Sequence, residues 1–280
     1  MPLLSMQELF GHTSRAQTPV VAFNVITLEH AEAVVWGAEE TGIPVIAQLS
    51  ENAILYHDGP DALAAAMVSL AATSSGHVVL HLDHITQPDL ARRTRDLGFS
   101  SVMWDSSTLP YEENVQATKD IVGFAHDQGI WVESEIGAIG GKGGAHTPGV
   151  RTDPAEAAAF AQATGIDALA VAVGSSHAMT EQTAKLDTGL IRAIADAVDV
   201  PLVLHGSTGV PEDALLEATS AGMWKINIGT ALNISATNAV RSTLESDQKV
   251  TDPRKYWGSA RDAMRSTVAH YLSTLSKPLG

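Results

Sequence analysis

HVVLHLDH, residues 77–84, is an apolar, β-branched run that closes on two residues with chemistry, Asp83 and His84. Continuous apolar runs of this length suit the strands of a parallel sheet, which are buried on both faces. Seven other stretches share the character: PVVAFNV (19–25), PVIAQLS (44–50), SVMWDSS (101–107), WVESEIG (131–137), ALAVAVG (168–174), PLVLHGS (201–207) and KINIGT (225–230). A helix-like stretch follows each, and the mean repeat of roughly 29 residues suits strand–helix units.

The helical segments carry their own boundary signals. HAEAVVWGAEETG (30–42) ends at Gly42 before Pro44, and DALAAAMVSLAATSSG (61–76) ends at Gly76. DPAEAAAFAQATG (153–165) opens with an Asp cap and a Pro at its first helical position. PEDALLEATSAG (211–222) has Pro and two acids in its first turn and Gly after its last. Eight such units with no second compositional regime predict a single α/β domain over residues 1–280, a (β/α)8 TIM barrel. An open doubly wound sheet is the alternative, and the absence of a G-x-G-x-x-G fingerprint favours the barrel. Residues 230–280 read as a mainly helical C-terminal extension with a break near Ser246–Pro253. That is more than one barrel helix needs, so the tail is expected to pack across the barrel or onto another subunit.

Composition narrows the partners. With 45% hydrophobic and 18% charged residues the chain is built for one large core, not for disorder. The net charge of −15, with no basic stripe, speaks against nucleic acid. No run approaches the ~20 apolar residues of a membrane span. The first residues, MPLLSMQELFGHTSRA, lack the layout of a signal peptide, so a cytoplasmic location is expected. The absence of cysteine excludes disulfides, thiolate metal sites and a cysteine nucleophile.

A TIM barrel places its chemistry at the C-terminal ends of the strands. Asp83 and His84 end the third strand, Asp105 ends the fourth and Glu135 lies near the end of the fifth. His177 follows the sixth, His205 ends the seventh and Asn227 lies in the eighth. A lone histidine on a strand is most often a satisfied structural residue. Three at one rim make a Zn²⁺ site with an open position for substrate, and a carboxylate beside such a metal is placed for proton transfer. His81, two residues below Asp83, is expected to be buried and hydrogen-bonded; His12, His30, His57, His126 and His270 lack the strand-end placement. The loops after the seventh and eighth strands, Gly206-Ser207-Thr208-Gly209 and Asn227-Ile228-Gly229-Thr230, occupy the usual phosphate position of the fold. Metal, carboxylate and phosphate site together suggest work on a small phosphorylated ketose. A metal at the C2 carbonyl would stabilise an enediolate while a neighbouring C–C bond breaks.

Several stretches then carry a resemblance. AFNV (22–25), HLDH (81–84), VMWDSS (102–107), ESEIGAIGG (133–141), VGSSH (173–177), LHGSTGVP (204–211), KINIGT (225–230) and DPRKYW (252–257) follow one another in the order of a known family. The chain resembles the class II, zinc-dependent ketose-bisphosphate aldolases, which include fructose- and tagatose-bisphosphate aldolases. The resemblance implies reversible cleavage of a ketose 1,6-bisphosphate to dihydroxyacetone phosphate and glyceraldehyde 3-phosphate, as in glycolysis. It implies that His84, His177 and His205 ligate the catalytic Zn²⁺, or another divalent metal, and that Asp83 is the acid/base. Asp105 and Glu135 would form a secondary metal position or the shell around the zinc. Gly206, Ser207 and Thr208, with Asn227, Ile228, Gly229 and Thr230, would hold the dihydroxyacetone phosphate half; Asn24 and Ser50 would reach the aldehyde half. A homodimer or homotetramer and a monovalent cation at the phosphate are also implied.

Two departures from the family pattern stand out. Ala178 follows the second histidine where many members carry Gly. The glycine-rich connection GAIGGKGGAHTPGVRTDP (137–154), a lid or else a plain surface loop, has no carboxylate between Glu135 and Asp153. Relatives often use an acid there to move the carbon-bound proton, and His146 is the residue expected to take that role. Three rival readings remain. A Schiff-base aldolase needs a lysine in the cavity, and only Lys225 of seven lysines lies on a strand, at its starting end and away from the active face. A metal-dependent hydrolase leaves the two phosphate loops without a job. A non-catalytic sugar-phosphate-binding subunit would bind without turnover.

Overall fold

The structure is a computed structural model that describes residues 3–14, 18–136, 151–176 and 179–276. Eight strands form the barrel: β2 (Val20–Asn24), β3 (Val45–Ser50), β4 (Val78–Ile85), β5 (Ser101–Trp104), β6 (Trp131–Glu135), β7 (Ala168–Ala170), β8 (Leu202–Leu204) and β9 (Met223–Ile228). Every neighbouring pair is parallel, and β9 pairs back onto β2 through Val20↔Lys225 to Phe23↔Ile228, so the sheet is closed. The expected (β/α)8 barrel is the observed fold. The doubly wound alternative is excluded, because an open sheet has two edge strands, whereas here each of β2 to β9 pairs on both sides, β4 with β5 closing the ring.

The helices between the strands are α2 (Leu28–Thr41), α3 (Glu51–Tyr56), α4 (Asp61–Thr73), α5 (Pro88–Arg92), α6 (Tyr111–His126), α7 (Pro154–Thr164), α8 (Thr188–Ala197) and α9 (Glu212–Ser220). The boundary signals act as read. Gly42 closes α2 with φ 66, a left-handed value that glycine adopts without steric cost. The Asp153 side chain accepts from the N–H groups of Ala155 and Glu156 at the start of α7. Some strands are shorter than their apolar runs. The sixth run, 168–174, is strand only at Ala168–Ala170, and the seventh ends at Leu204 before a 3-10 turn at Ser207–Gly209. There the chain leaves the sheet to line the mouth.

The tail forms α10 (Thr230–Ser246) and α11 (Pro253–Leu275), with the break where the sequence places it. α11 lies against α2 and α10 of its own chain. At Gly37 of α2 a Cβ would sit 2.5 Å from Val268 Cγ1, so these helices approach too closely for any larger residue. Arg261 of α11 reaches Glu32 at 2.9 Å and lies 4.6 Å over the Trp36 ring. No helix among the described residues is long and apolar enough to cross a membrane.

One feature of the fold is not foreseen. A two-residue strand, β1 (Leu3–Leu4), pairs in parallel with Val78–Val79 at the starting end of β4, and α1 (Met6–Thr13) follows it. α1 buries Met6 and Leu9 against Val20, Ile46, Val79 and Trp224. Phe10 stands 5.2 Å from both Trp131 and Trp224, and Trp224 Nε1 donates to Thr13 Oγ1 at 2.9 Å. The starting end of the barrel is thereby filled with apolar side chains.

Candidate active site

Alternation along each strand sends every second side chain into the barrel. From β4 this gives Val79, His81 and Asp83, all buried. His84 should then point outward toward the helices, but it adopts φ 50, and the pairing with β5 slips between Leu82 and Ile85. This left-handed kink, uncommon for a residue with a Cβ, ends the alternation and lets Asp83 and His84 share one cleft. Asp83, His84 and His205 each offer a ligand atom within 4.8 Å of the others, and so do His84, Asp105 and Glu135. The His84 and His205 rings are 4.7 Å apart.

Each of these groups is held from behind. His84 Nδ1 is 3.1 Å from Asp105 Oδ2, while Asp105 Oδ1 accepts from the N–H and hydroxyl of Ser107 at 3.1 and 2.7 Å. Burial disfavours a charged His84 imidazole, but the Asp83 charge, the hydrogen bond to Asp105 and the Glu135 charge together outweigh it and raise its pKa to about 9. Burial would likewise raise Asp105, yet the His84 bond and charge and the two Ser107 donors hold it well below the usual carboxylate range. His205, 1% exposed, has Nε2 3.0 Å from Glu133 Oε1. Asp83 Oδ2 accepts from Asn24 Nδ2 at 2.8 Å, and Asn24 Oδ1 accepts from Gln48 Nε2 at 3.0 Å. Asp83 Oδ1 is buried and has no hydrogen-bond partner among the described residues.

The loops that follow β8 and β9 meet at the mouth of the barrel. Gly206 takes φ 69, and a Cβ there would lie 2.5 Å from the Ser176 carbonyl oxygen. Thr208 Oγ1 accepts from Ala231 N at 3.2 Å, joining the loop after β8 to the first turn of α10. The cleft encloses about 220 Å³, and Asn24, Ser50, Asp83, His84, Ser207 and Thr230 are among the residues that line it. Ser50 also caps α3, accepting from Ala53 N at 3.3 Å.

The structure thus brings together Asn24, Ser50, Asp83, His84, Asp105, Glu135, His205, Gly206–Thr208, Asn227, Gly229 and Thr230, while the side chain of Ile228 is buried in the hydrophobic core instead. His146, His177 and Ala178 lie outside the described residues. His81 is fully buried and bonded to Ser101 Oγ at 2.8 Å, as expected of a structural histidine. Three residues escaped the sequence reading. Gln48 alternates with Ser50, and Glu133 alternates with Glu135, so period-two spacing alone places each on the face of a site residue. Lys225 alternates with Asn227 in the same way. Its place at the starting end of the strand suggests distance from the active face, yet its side chain is fully buried inside the barrel with Nζ 2.6 Å from Glu133 Oε2, one carboxylate away from His205.

Comparison with known proteins agrees with this architecture. Residues 4–277 match the family model described as fructose-bisphosphate aldolase class-II. The chain is 38% identical over 272 residues to a fructose-bisphosphate aldolase from Geobacillus stearothermophilus, covering 96% of this chain and 95% of the relative. Against a fructose-bisphosphate aldolase from Staphylococcus aureus it is 37% identical over the same shares. Among solved structures, the YdjI aldolase from Escherichia coli superposes with a TM-score of 0.86 at 28% identity, covering 99% of this chain and 98% of that one.

Proposed function

The chain belongs to the class II fructose-bisphosphate aldolase family, and from that premise we propose that the cleft at the C-terminal ends of the strands performs reversible aldol cleavage of fructose 1,6-bisphosphate, giving dihydroxyacetone phosphate and glyceraldehyde 3-phosphate. The observation that carries the reading is the convergence of Asp83, His84 and His205 within 4.8 Å, beside two loops suited to phosphate.

The donor set fits the zinc on which the family generally depends. Imidazole and carboxylate are ordinary zinc ligands. His84 and His205 each have one ring nitrogen engaged by a carboxylate, the arrangement that orients ligating histidines. His84 and His205, with His177 as third ligand, would hold the ion, and Asp105 and Glu135 form the acidic surround. Bound there, the ion would supply a Lewis acid at the ketose carbonyl oxygen, where negative charge collects as the C3–C4 bond breaks.

Asp83 does the proton work. Asn24 occupies Oδ2, so Oδ1 is the oxygen that faces the C4 hydroxyl and removes its proton as that carbon becomes the aldehyde. In the reverse direction it returns the proton. Gly206, Ser207 and Thr208 and the N–H groups opening α10 offer the donors and the helix N-terminus that suit a phosphate. Asn24 and Ser50, which line the same cleft, would reach the aldehyde half.

Cleavage of fructose and tagatose 1,6-bisphosphates, measured side by side before chelation, after chelation and with zinc restored, tests the reading. Activity lost with the metal, regained with it and faster on the fructose sugar is the expected result. Chelator-resistant cleavage, or none with either sugar, would sink it.

A further inference from the structure

A line of buried polar groups runs from His205, which lines the cleft, into the barrel interior. Lys225, 0% exposed, places Nζ 2.6 Å from Glu133 Oε2, and Glu133 Oε1 is 3.0 Å from His205 Nε2. On its other side Lys225 Nζ is 3.4 Å from His81 Nε2, and His81 Nδ1 is 2.8 Å from Ser101 Oγ. Around them the barrel interior is apolar, with Val20, Ile46, Met103 and Val203 all buried. A buried ion pair in such surroundings gains little over well-packed apolar residues, while removing one partner is costly. Stability is therefore a poor reason for the pair to be there.

The hydrogen-bond directions supply a better one. A carboxylate oxygen only accepts, so the hydrogen of the neutral His205 ring is on Nε2 and its lone pair is on Nδ1. Glu133 thus selects the tautomer and fixes the ring plane. Lys225 in turn holds Glu133, and His81 does not compete for it: burial and the Lys225 charge keep His81 neutral, so the 3.9 Å approach of His81 to Glu133 is not a charge pair. His81 accepts from Lys225 through Nε2 and donates to Ser101 through Nδ1, which locks the ammonium in place.

We infer that Lys225 is a positioning residue that acts through Glu133 to hold His205 in the tautomer and orientation needed to bind the metal. The inference rests on His205 being a ligand, as proposed above. Residues behind a metal ligand typically contribute 10–100-fold to metal affinity.

Titration of the metal-stripped protein with Co²⁺, read by its visible d–d absorption and by a competing chelator, tests the inference. Lys225→Met is expected to weaken Co²⁺ binding by about 10–100-fold and to alter the band shape, with Lys225→Arg restoring part of both. Glu133→Gln should weaken binding similarly, and the double variant should be no weaker than the worse single one, since the two residues act in series. A folded Lys225→Met protein with wild-type affinity and spectrum overturns the inference, provided His205→Ala loses binding. If His205→Ala itself binds Co²⁺ like the wild type, the ligand assignment fails first and the inference falls with it. Should Lys225→Met not fold, the charge-free double variant decides: weakened binding supports the inference, and unchanged binding overturns it.

Discussion

Asn24 and Asp83 stand on strands that do not pair with each other, yet Asn24 Nδ2 donates to Asp83 Oδ2 at 2.8 Å across the intervening β3. Gln48 of β3 completes the bridge by donating to Asn24. One carboxylate oxygen is thereby committed to the protein and the other is left for chemistry. Asp83→Asn is expected to lower kcat by about 10²–10⁴-fold, the usual worth of a positioned acid/base, while zinc content stays near one per chain. Steady-state kinetics with metal analysis checks it; an unchanged kcat removes Asp83 from the reaction.

Asn24→Ala leaves the same carboxylate unheld. Loss of a hydrogen bond to a charged group is worth about 1.5–3 kcal/mol, so kcat/KM should fall roughly 10–100-fold. Gln48→Leu, one bond further back, should cost less. A larger effect for Gln48→Leu than for Asn24→Ala would mean that Gln48 reaches the substrate itself.

Gly206→Ala places a Cβ 2.5 Å from the Ser176 carbonyl oxygen in a left-handed backbone. The backbone alone costs about 1–2 kcal/mol, and the overlap forces the loop away from Ser176. The expected result is a lower Tm together with a raised KM for the bisphosphate. An unchanged KM would show that this loop does not hold a phosphate.

Without metal, His84 gains a stabilising proton. Its folded pKa of about 9 lies above the ordinary 6.5, so the stabilisation is fully present below pH 6.5 and is lost as pH rises through 9. The metal-stripped protein should therefore melt lower at alkaline pH by an increment that His84→Gln lacks. Zinc binding near pH 7.5 should release about one proton, which calorimetry in buffers of different ionisation enthalpy measures. Equal pH profiles for the two proteins would contradict it.

His146 is the expected mover of the carbon-bound proton because the segment between Glu135 and Asp153 holds no carboxylate. His146→Ala should slow hydrogen exchange into dihydroxyacetone phosphate by about 10²-fold or more with little change in metal binding. Exchange at the wild-type rate would assign the step elsewhere.

The barrel was legible because strands buried on both faces spell continuous apolar runs, and because Gly42 and Asp153 mark helix ends by mechanisms a sequence displays. The site was legible as residues past those runs. Its geometry was not. Nothing in HLDH announces that His84 takes φ 50 and so shares a cleft with Asp83; the kink coincides with a slip in the pairing with β5, which a single strand's sequence does not display. β1 was too short, at two residues, to have a period. Glu133 and Lys225 were within reach of the alternation rule. They were passed over because a lysine low on a strand reads as distant from the rim, and the reach of its four-carbon stem does not show in a one-letter code.

The aromatic stopper under the barrel, with Phe10 wedged between Trp131 and Trp224, gives the molecule a floor. A six-carbon sugar that comes in by the mouth is divided into two three-carbon fragments, and neither has a back door. They must depart in turn by the way the whole sugar arrived.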